Sequence, residues 1–144
     1  MSNIIYLKRN TALDTVNTFG YDVIYEIDND IRAFEFKIES RDDDPGSLDS
    51  IVSSGNSESE HFLRNLNKST GKIMGLEYPA SSGCIPASSY DNSSILIQLL
   101  FTKEFIKKPS ITGIHISDPE KSPITTTYGG SIITLPDSIT SKTP

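Results

Sequence analysis

The sequence has no tryptophan, one cysteine and two histidines in 144 residues. A lone cysteine, Cys84, closes no internal disulfide, which excludes the stapled scaffolds of small secreted domains. One cysteine with His61 and His115 also leaves no ligand set of zinc-finger or zinc-ribbon spacing. Long hydrophobic runs are missing. The N-terminal run Ile4 to Leu7 is too short for a signal peptide or a membrane span, so a cytoplasmic location is the expectation. There is no Gly-x-Ser-x-Gly elbow and no glycine-rich phosphate cradle; the only paired glycines are Gly129-Gly130. Positive charge is scarce as well: 13 Lys and Arg stand against 19 Asp and Glu, a net charge of −6. Coating nucleic acid or binding anionic membrane needs clustered cations, so neither is expected. No cofactor or metal is implied, and nothing in the chain marks an oligomeric state.

The acidity is localised. Residues 1–60 carry 13 acidic against 5 basic side chains, whereas 61–102 and 103–144 each carry one more base than acid. Such a surface keeps a protein soluble by repulsion, and it can also steer a basic partner. The candidate contact residues are Glu26, Asp28, Asp30, Glu35, Asp42, Asp43, Asp44 and Asp49. Asp28-Asn29-Asp30 begins like a calcium loop, but Arg32 and Ala33 occupy the places of the next oxygen ligand and the glycine. Asp42 to Asp44, ahead of Pro45-Gly46, has the chemistry of a surface turn.

Strand signals dominate the rest. Ile4 to Leu7 reads as a first strand, and Tyr21, Val23, Tyr25 and Ile27 share one face of a second. Beyond Asp28-Asn29-Asp30, residues 34–39 alternate strictly between apolar and charged, so 21–38 reads as a β-hairpin. Ile124 to Tyr128 and Ser131 to Leu135, separated by Gly129-Gly130, read as a second hairpin, 124–135. Further strands are expected near 73–78, 95–101 and 111–117. The run Ile95 to Phe101 is apolar on every side, which suits a strand buried on both faces better than a helix. One or two short helices complete the expectation. Leu13, Val16 and Phe19 suggest one; Ser57 with Glu60 makes a capping box for the other, over 58–68, with Phe62, Leu63 and Leu66 as its apolar stripe and Gly71 as its stop. The polar stretch 41–59 is expected to be a loop with one helical turn near Leu48, Ile51 and Val52. The expected fold is α+β, predominantly antiparallel β, with a β-sandwich as the alternative. No repeat or linker divides the chain, so 1–135 is expected to form one domain and 136–144 a flexible tail.

One pattern carries catalytic chemistry. Glu35-Phe36-Lys37 follows Asp22 and Asp28, which resembles the acid…Glu-x-Lys arrangement of restriction-endonuclease-like nucleases. The resemblance implies a Mg²⁺ ion held by two carboxylates and a lysine that helps activate water. Strand alternation places Glu35 and Lys37 on one face. The chain otherwise lacks catalytic groups: Cys84 has no base at a recognisable spacing, and His115 lies between isoleucines on a strand. The leading expectation is therefore a non-enzymatic, acidic protein-binding module. More narrowly, it is an inhibitor of immunity or antitoxin type that blocks a basic partner such as a nuclease toxin. A Mg²⁺-dependent nuclease is the alternative, and a structural subunit of a viral or appendage assembly is the second.

Overall fold

Burial alternates with period two along residues 4–8, 33–39, 62–66 and 72–77, while 20–25 and 96–99 are buried on both faces. Two sheets packed face to face hide the apolar faces against each other. The computed structural model describes residues 3–40, 48–52, 54–58, 62–78, 84–88, 94–102 and 109–132. Its strands are β1 (Ile4–Arg9), β2 (Phe19–Glu26), β3 (Ala33–Ser40), β4 (Leu48–Val52), β5 (Phe62–Asn67), β6 (Lys72–Glu77), β7 (Ile95–Phe101), β8 (Pro109–Ser117) and β9 (Thr127–Ile132). They form a five-stranded sheet in the order β4-β7-β2-β1-β9 and a four-stranded sheet in the order β5-β6-β3-β8. All pairings are antiparallel except β1 with β9, which is parallel.

The core lies between the sheets. The five-stranded sheet contributes Ile5, Leu7, Tyr21, Val23 and Tyr25, and the four-stranded sheet contributes Phe34, Phe36, Ile38, Ile73 and Ile116, all buried. Phe34 stacks on Phe36 and on Phe62, with centroids 5.7 and 6.0 Å apart. Tyr21 meets Phe101 edge to face at 5.3 Å. Tyr25, buried to its tip, places its hydroxyl among the connections at one end. There it donates to the Pro86 carbonyl at 2.7 Å and accepts from the Asn56 side-chain amide at 3.0 Å.

The α+β expectation is overturned: no α-helix occurs among the described residues, and the fold is a β-sandwich. The helix expected over 58–68 is not found among the described residues. Ser57 is buried, its N–H donates to the Leu96 carbonyl at 3.0 Å, and Phe62–Asn67 is strand β5. The reason is arithmetic. Phe62 and Leu66 are four apart, a separation that brings side chains to the same side of a helix and of a strand alike. The Thr11 to Phe19 segment holds only a 3-10 turn, Thr11–Leu13, and Phe19 already belongs to β2. Leu48, Ile51 and Val52 lie on β4 rather than on a helical turn. The run 95–101 is the strand β7, as preferred.

Both expected hairpins are also corrected. The strands of 21–38 are real, but β2 pairs with β1 and β7 while β3 pairs with β6 and β8, so they belong to opposite sheets. The chain crosses between sheets through residues 27–32. Ile27 and Ile31 are fully buried there and bridge to Ser88 and Ile85. In 124–135, Gly129 and Gly130 lie inside β9 rather than in a turn. A Cβ on Gly129 would overlap the Ile4 and Tyr6 side chains, and Gly130, at φ 115°, sits where the β1–β9 register shifts. The glycines serve a close approach and a bulge. A hairpin does join β5 and β6. Its turn, Asn67 to Gly71, is closed by the Gly71 N–H on the Asn67 carbonyl at 2.8 Å, with Gly71 at φ 77°. The expected tail, 136–144, and residues 133–135 lie outside the described residues.

Candidate functional site

The expected acidic residues are spread over several elements. Asp42, Asp43 and Asp44 lie outside the described residues. Glu26 closes β2, half-buried, with the Tyr6 hydroxyl 3.4 Å from its carboxylate. Asp28 and Asp30 are exposed in the crossing between sheets. Asp30 accepts from the Ala87 N–H at 2.9 Å and stands 3.9 Å from the Cys84 sulfur, a thiol pushed up by burial and by the nearby Asp30 and Glu77 charges. Asp49 lies on β4, at the edge of the five-stranded sheet, and accepts from the Ser50 hydroxyl. Glu35 is on β3 in the other sheet, 3.4 Å from the Lys72 ammonium.

The arrangement that a nuclease requires is not assembled. Glu35 and Lys37 do share a face of β3. Asp22, however, is on β2 in the opposite sheet, turned away from the core and buried under the turn that follows β1. Its carboxylate accepts from Gln98 Nε2 at 2.7 Å and from Asn10 Nδ2 at 3.0 Å. Among the described residues no group of three or more His, Cys, Asp or Glu is placed to hold a metal ion. His61 is outside the described residues; His115 is exposed on β8, directly across from Glu35.

Asp22 and Asp14 respond to pH in opposite directions. Burial pushes the Asp22 carboxyl up, against the opposing hydrogen bonds from Gln98 and Asn10 and the charge of Lys8. The hydrogen bonds from Arg9, at 2.7 and 2.8 Å, hold the Asp14 carboxyl below its ordinary 3.8. Asp14 therefore contributes stability above pH 3.8 that is lost as pH falls through its lowered value. The Asp22 contribution is present below pH 3.8 and is lost as pH rises through its raised value. Asp22→Asn should accordingly gain on the native chain as pH rises from 3.8 towards neutrality. Melting temperatures of both proteins between about pH 3 and 7 test this; parallel curves would contradict it.

The feature that the sequence reading missed is apolar. Alternation along β5, β6, β3 and β8 turns Phe62, Ile73, Phe34 and Ile116 into the core and their neighbours outward. On that outer face Leu63 pairs with Leu76, Leu76 with Ala33, and Met74 with Glu35. Leu63 is 55% exposed, Met74 41% and Leu76 41%; Tyr78, directly after β6, is 58% exposed. Of the large apolar side chains exposed among the described residues, only Val16 lies elsewhere. Single exposed leucines are ordinary, whereas a contiguous group on one sheet face marks an interaction surface. Its charges balance: Glu35 is within reach of Lys72, and Lys37 of Glu39 at 3.7 Å. Surface pairs of this kind contribute at most about 1 kcal/mol each.

A wall borders the face along β8. After Ser117 the chain turns and comes back beside it, with Ser117 bridged to Pro123 and the Ile124 N–H on the Ile116 carbonyl at 2.7 Å. Between this returning strap and the sheet lies a cleft of about 590 Å³, floored by Met74, Leu76, Ile114 and Ile124, with Glu35, His115 and Lys121 among its lining side chains. Its size lies within the range of pockets that bind small molecules or clusters of partner side chains.

No family model and no curated protein matches the sequence. Solved structures do match in shape. A cohesin of Clostridium thermocellum, determined as a type I cohesin–dockerin complex, superposes with a TM-score of 0.58 at 9% identity, over 92% of each chain. A cohesin of Acetivibrio cellulolyticus in complex with a dockerin gives 0.59 at 15% identity, over 91% of this chain and 96% of that one. A non-cellulosomal cohesin of the archaeon Archaeoglobus fulgidus gives 0.58 at 10% identity, over 92% of this chain and 90% of that one. At such identities the likeness is one of fold, and the fold is the two-sheet β-sandwich of the cohesins.

Proposed function

We propose that this protein is a non-enzymatic protein-binding module that docks a partner protein on the outer face of β5-β6-β3-β8. The observation that carries the reading is the exposed apolar group Leu63, Met74, Leu76 and Tyr78, gathered on one sheet face beside a lined cleft. An interface gains most of its free energy from a few apolar or aromatic anchors sealed from water. A flat sheet face supplies rigid positions for them without ordering any loop. The solved structures similar in fold add a partner class: several are complexes of a cohesin with a dockerin. A small module of dockerin type is thus the partner proposed for this chain.

The immunity- or antitoxin-type inhibitor of a basic toxin is the narrower form of the same idea, and it has less support. It requires carboxylates arrayed towards one partner, whereas Glu35 and Asp49 stand on different sheets and the docking face is balanced in charge. Calorimetric titration of the protein with a panel of dockerin modules is the test. Saturable one-to-one binding by at least one module is expected. A flat response throughout, with no protein retained from the source cells by the immobilised chain, would contradict the proposal.

A further inference from the structure

The strap beside β8 gives the docking face a preference of charge, an inference that rests on the docking reading and narrows it. Residues 118–122 form a tight turn. The Asp118 N–H donates to the Ser122 carbonyl at 2.9 Å and the Lys121 N–H to the Asp118 carbonyl at 2.8 Å. The Asp118 carboxylate accepts from the Glu120 and Ser122 N–H groups at 3.0 and 2.9 Å. This bonding holds Lys121 at φ 68°, the only positive φ of a non-glycine residue among those described. Left-handed backbone is unusual for such a residue and persists only where its surroundings impose it. The result is a lysine whose backbone is held at the lip of an apolar cleft, with its side chain exposed.

The cleft lining carries one carboxylate, Glu35, and one ammonium, Lys121; Asp118 and Glu120 of the turn lie outside it, the Asp118 carboxylate being engaged by two backbone N–H groups. Glu35, the carboxylate of its lining, is engaged by Lys72 from the neighbouring strand. Lys121 and His115 form no ion pair among the described residues. An apolar floor below an unpaired ammonium complements a segment that buries apolar side chains and carries a carboxylate beside them. We infer that the cleft receives an acidic, amphipathic segment of the partner protein and that Lys121 selects for it. The local preference is thus for an acidic partner, although residues 1–60 as a whole carry a large excess of acids.

The anionic aromatic dye 1-anilinonaphthalene-8-sulfonate combines both properties and serves as the probe, with neutral Nile red as the control. The dye should saturate at one per chain. Its affinity should fall in Lys121→Met and further in Lys121→Glu, by roughly three- to tenfold in all, the range for a partly screened charge contact. Nile red binding should be the same in all three proteins, and matched melting curves verify the fold. Non-saturating dye binding, or equal affinity for the native chain and Lys121→Glu, would overturn the inference. If Leu63→Asp with Leu76→Asp abolishes binding of the protein partner while Lys121→Glu leaves it unchanged, the docking face stands and the charge preference falls.

Discussion

Replacing Leu63 and Leu76 together by aspartate is expected to weaken partner binding by about 100-fold or more, while the protein still melts cooperatively near its native temperature. The two residues face each other across β5 and β6 and are 55% and 41% exposed, so the folded chain loses only partial burial and gains one repulsive cross-strand pair, a cost of at most about 1 kcal/mol for the pair. The complex loses much. Docking would bury two carboxylates where the partner expects apolar surface, and an unpaired buried charge costs several kcal/mol. Asn17→Asp, exposed in the connection between β1 and β2 of the opposite sheet, adds one negative charge away from the face and should leave affinity nearly unchanged. Equal losses from both changes would indicate a general charge effect and count against the docking face.

Gly75→Ala should act on the fold instead, lowering stability by about 2–3 kcal/mol, the usual scale for overpacking a filled core. Gly75 lies on β6 between Phe34 of β3 and Arg64 of β5, with its Cα facing inward. A Cβ there would overlap the Phe34 ring. The ring has little room to retreat, because it is buried and stacked against both Phe36 and Phe62. A single added methyl group must therefore shift either an aromatic stack or the β3–β6 pairing, and the melting temperature should drop by roughly 10 °C. Phe34→Leu vacates part of that space, so the double variant should lose less than the sum of the two single changes. Simple additivity would show that Gly75 and Phe34 do not compete for the same volume. Because Met74 and Leu76 flank Gly75, a shift of β6 would disturb the docking face as well.

The individual strands were legible in the sequence because alternation reports which side chains are buried. Their partners were not, because alternation is silent about what a buried face packs against. Tyr21, Val23 and Tyr25 have the same pattern whether the chain turns back beside them or crosses to the opposite sheet. The clue was the pair Ile27 and Ile31, both fully buried, flanking Asp28-Asn29-Asp30. A solvent-facing turn gives two isoleucines nothing to bury against, whereas a crossing at the end of a sandwich does. The β5–β6 hairpin had a readable turn in Asn67-Lys68-Ser69-Thr70-Gly71, obscured by the capping-box pattern of Ser57 and Glu60 upstream. Misreading 58–68 as a helix also hid the docking face. Leu63 entered the apolar stripe of that helix as a core residue, although as a strand residue it points outward opposite Leu76. Charge misled in another way. The acids of residues 1–60 are concentrated in sequence, but Glu35, Asp30 and Asp49 fall on separate parts of the sandwich.

The most direct measurement of the central claim is the footprint of a bound dockerin-type module on the backbone amide resonances of this protein. The docking account predicts the largest shifts along Phe62–Asn67, Lys72–Glu77 and Ala33–Ser40, reaching Tyr78 and His115. It predicts little change along β1, β2 and β7, whose outward side carries Tyr6, Lys8 and the buried Asp22–Gln98 pair. A footprint centred on that five-stranded sheet, with the amides around Met74 and Leu76 unmoved, would contradict it.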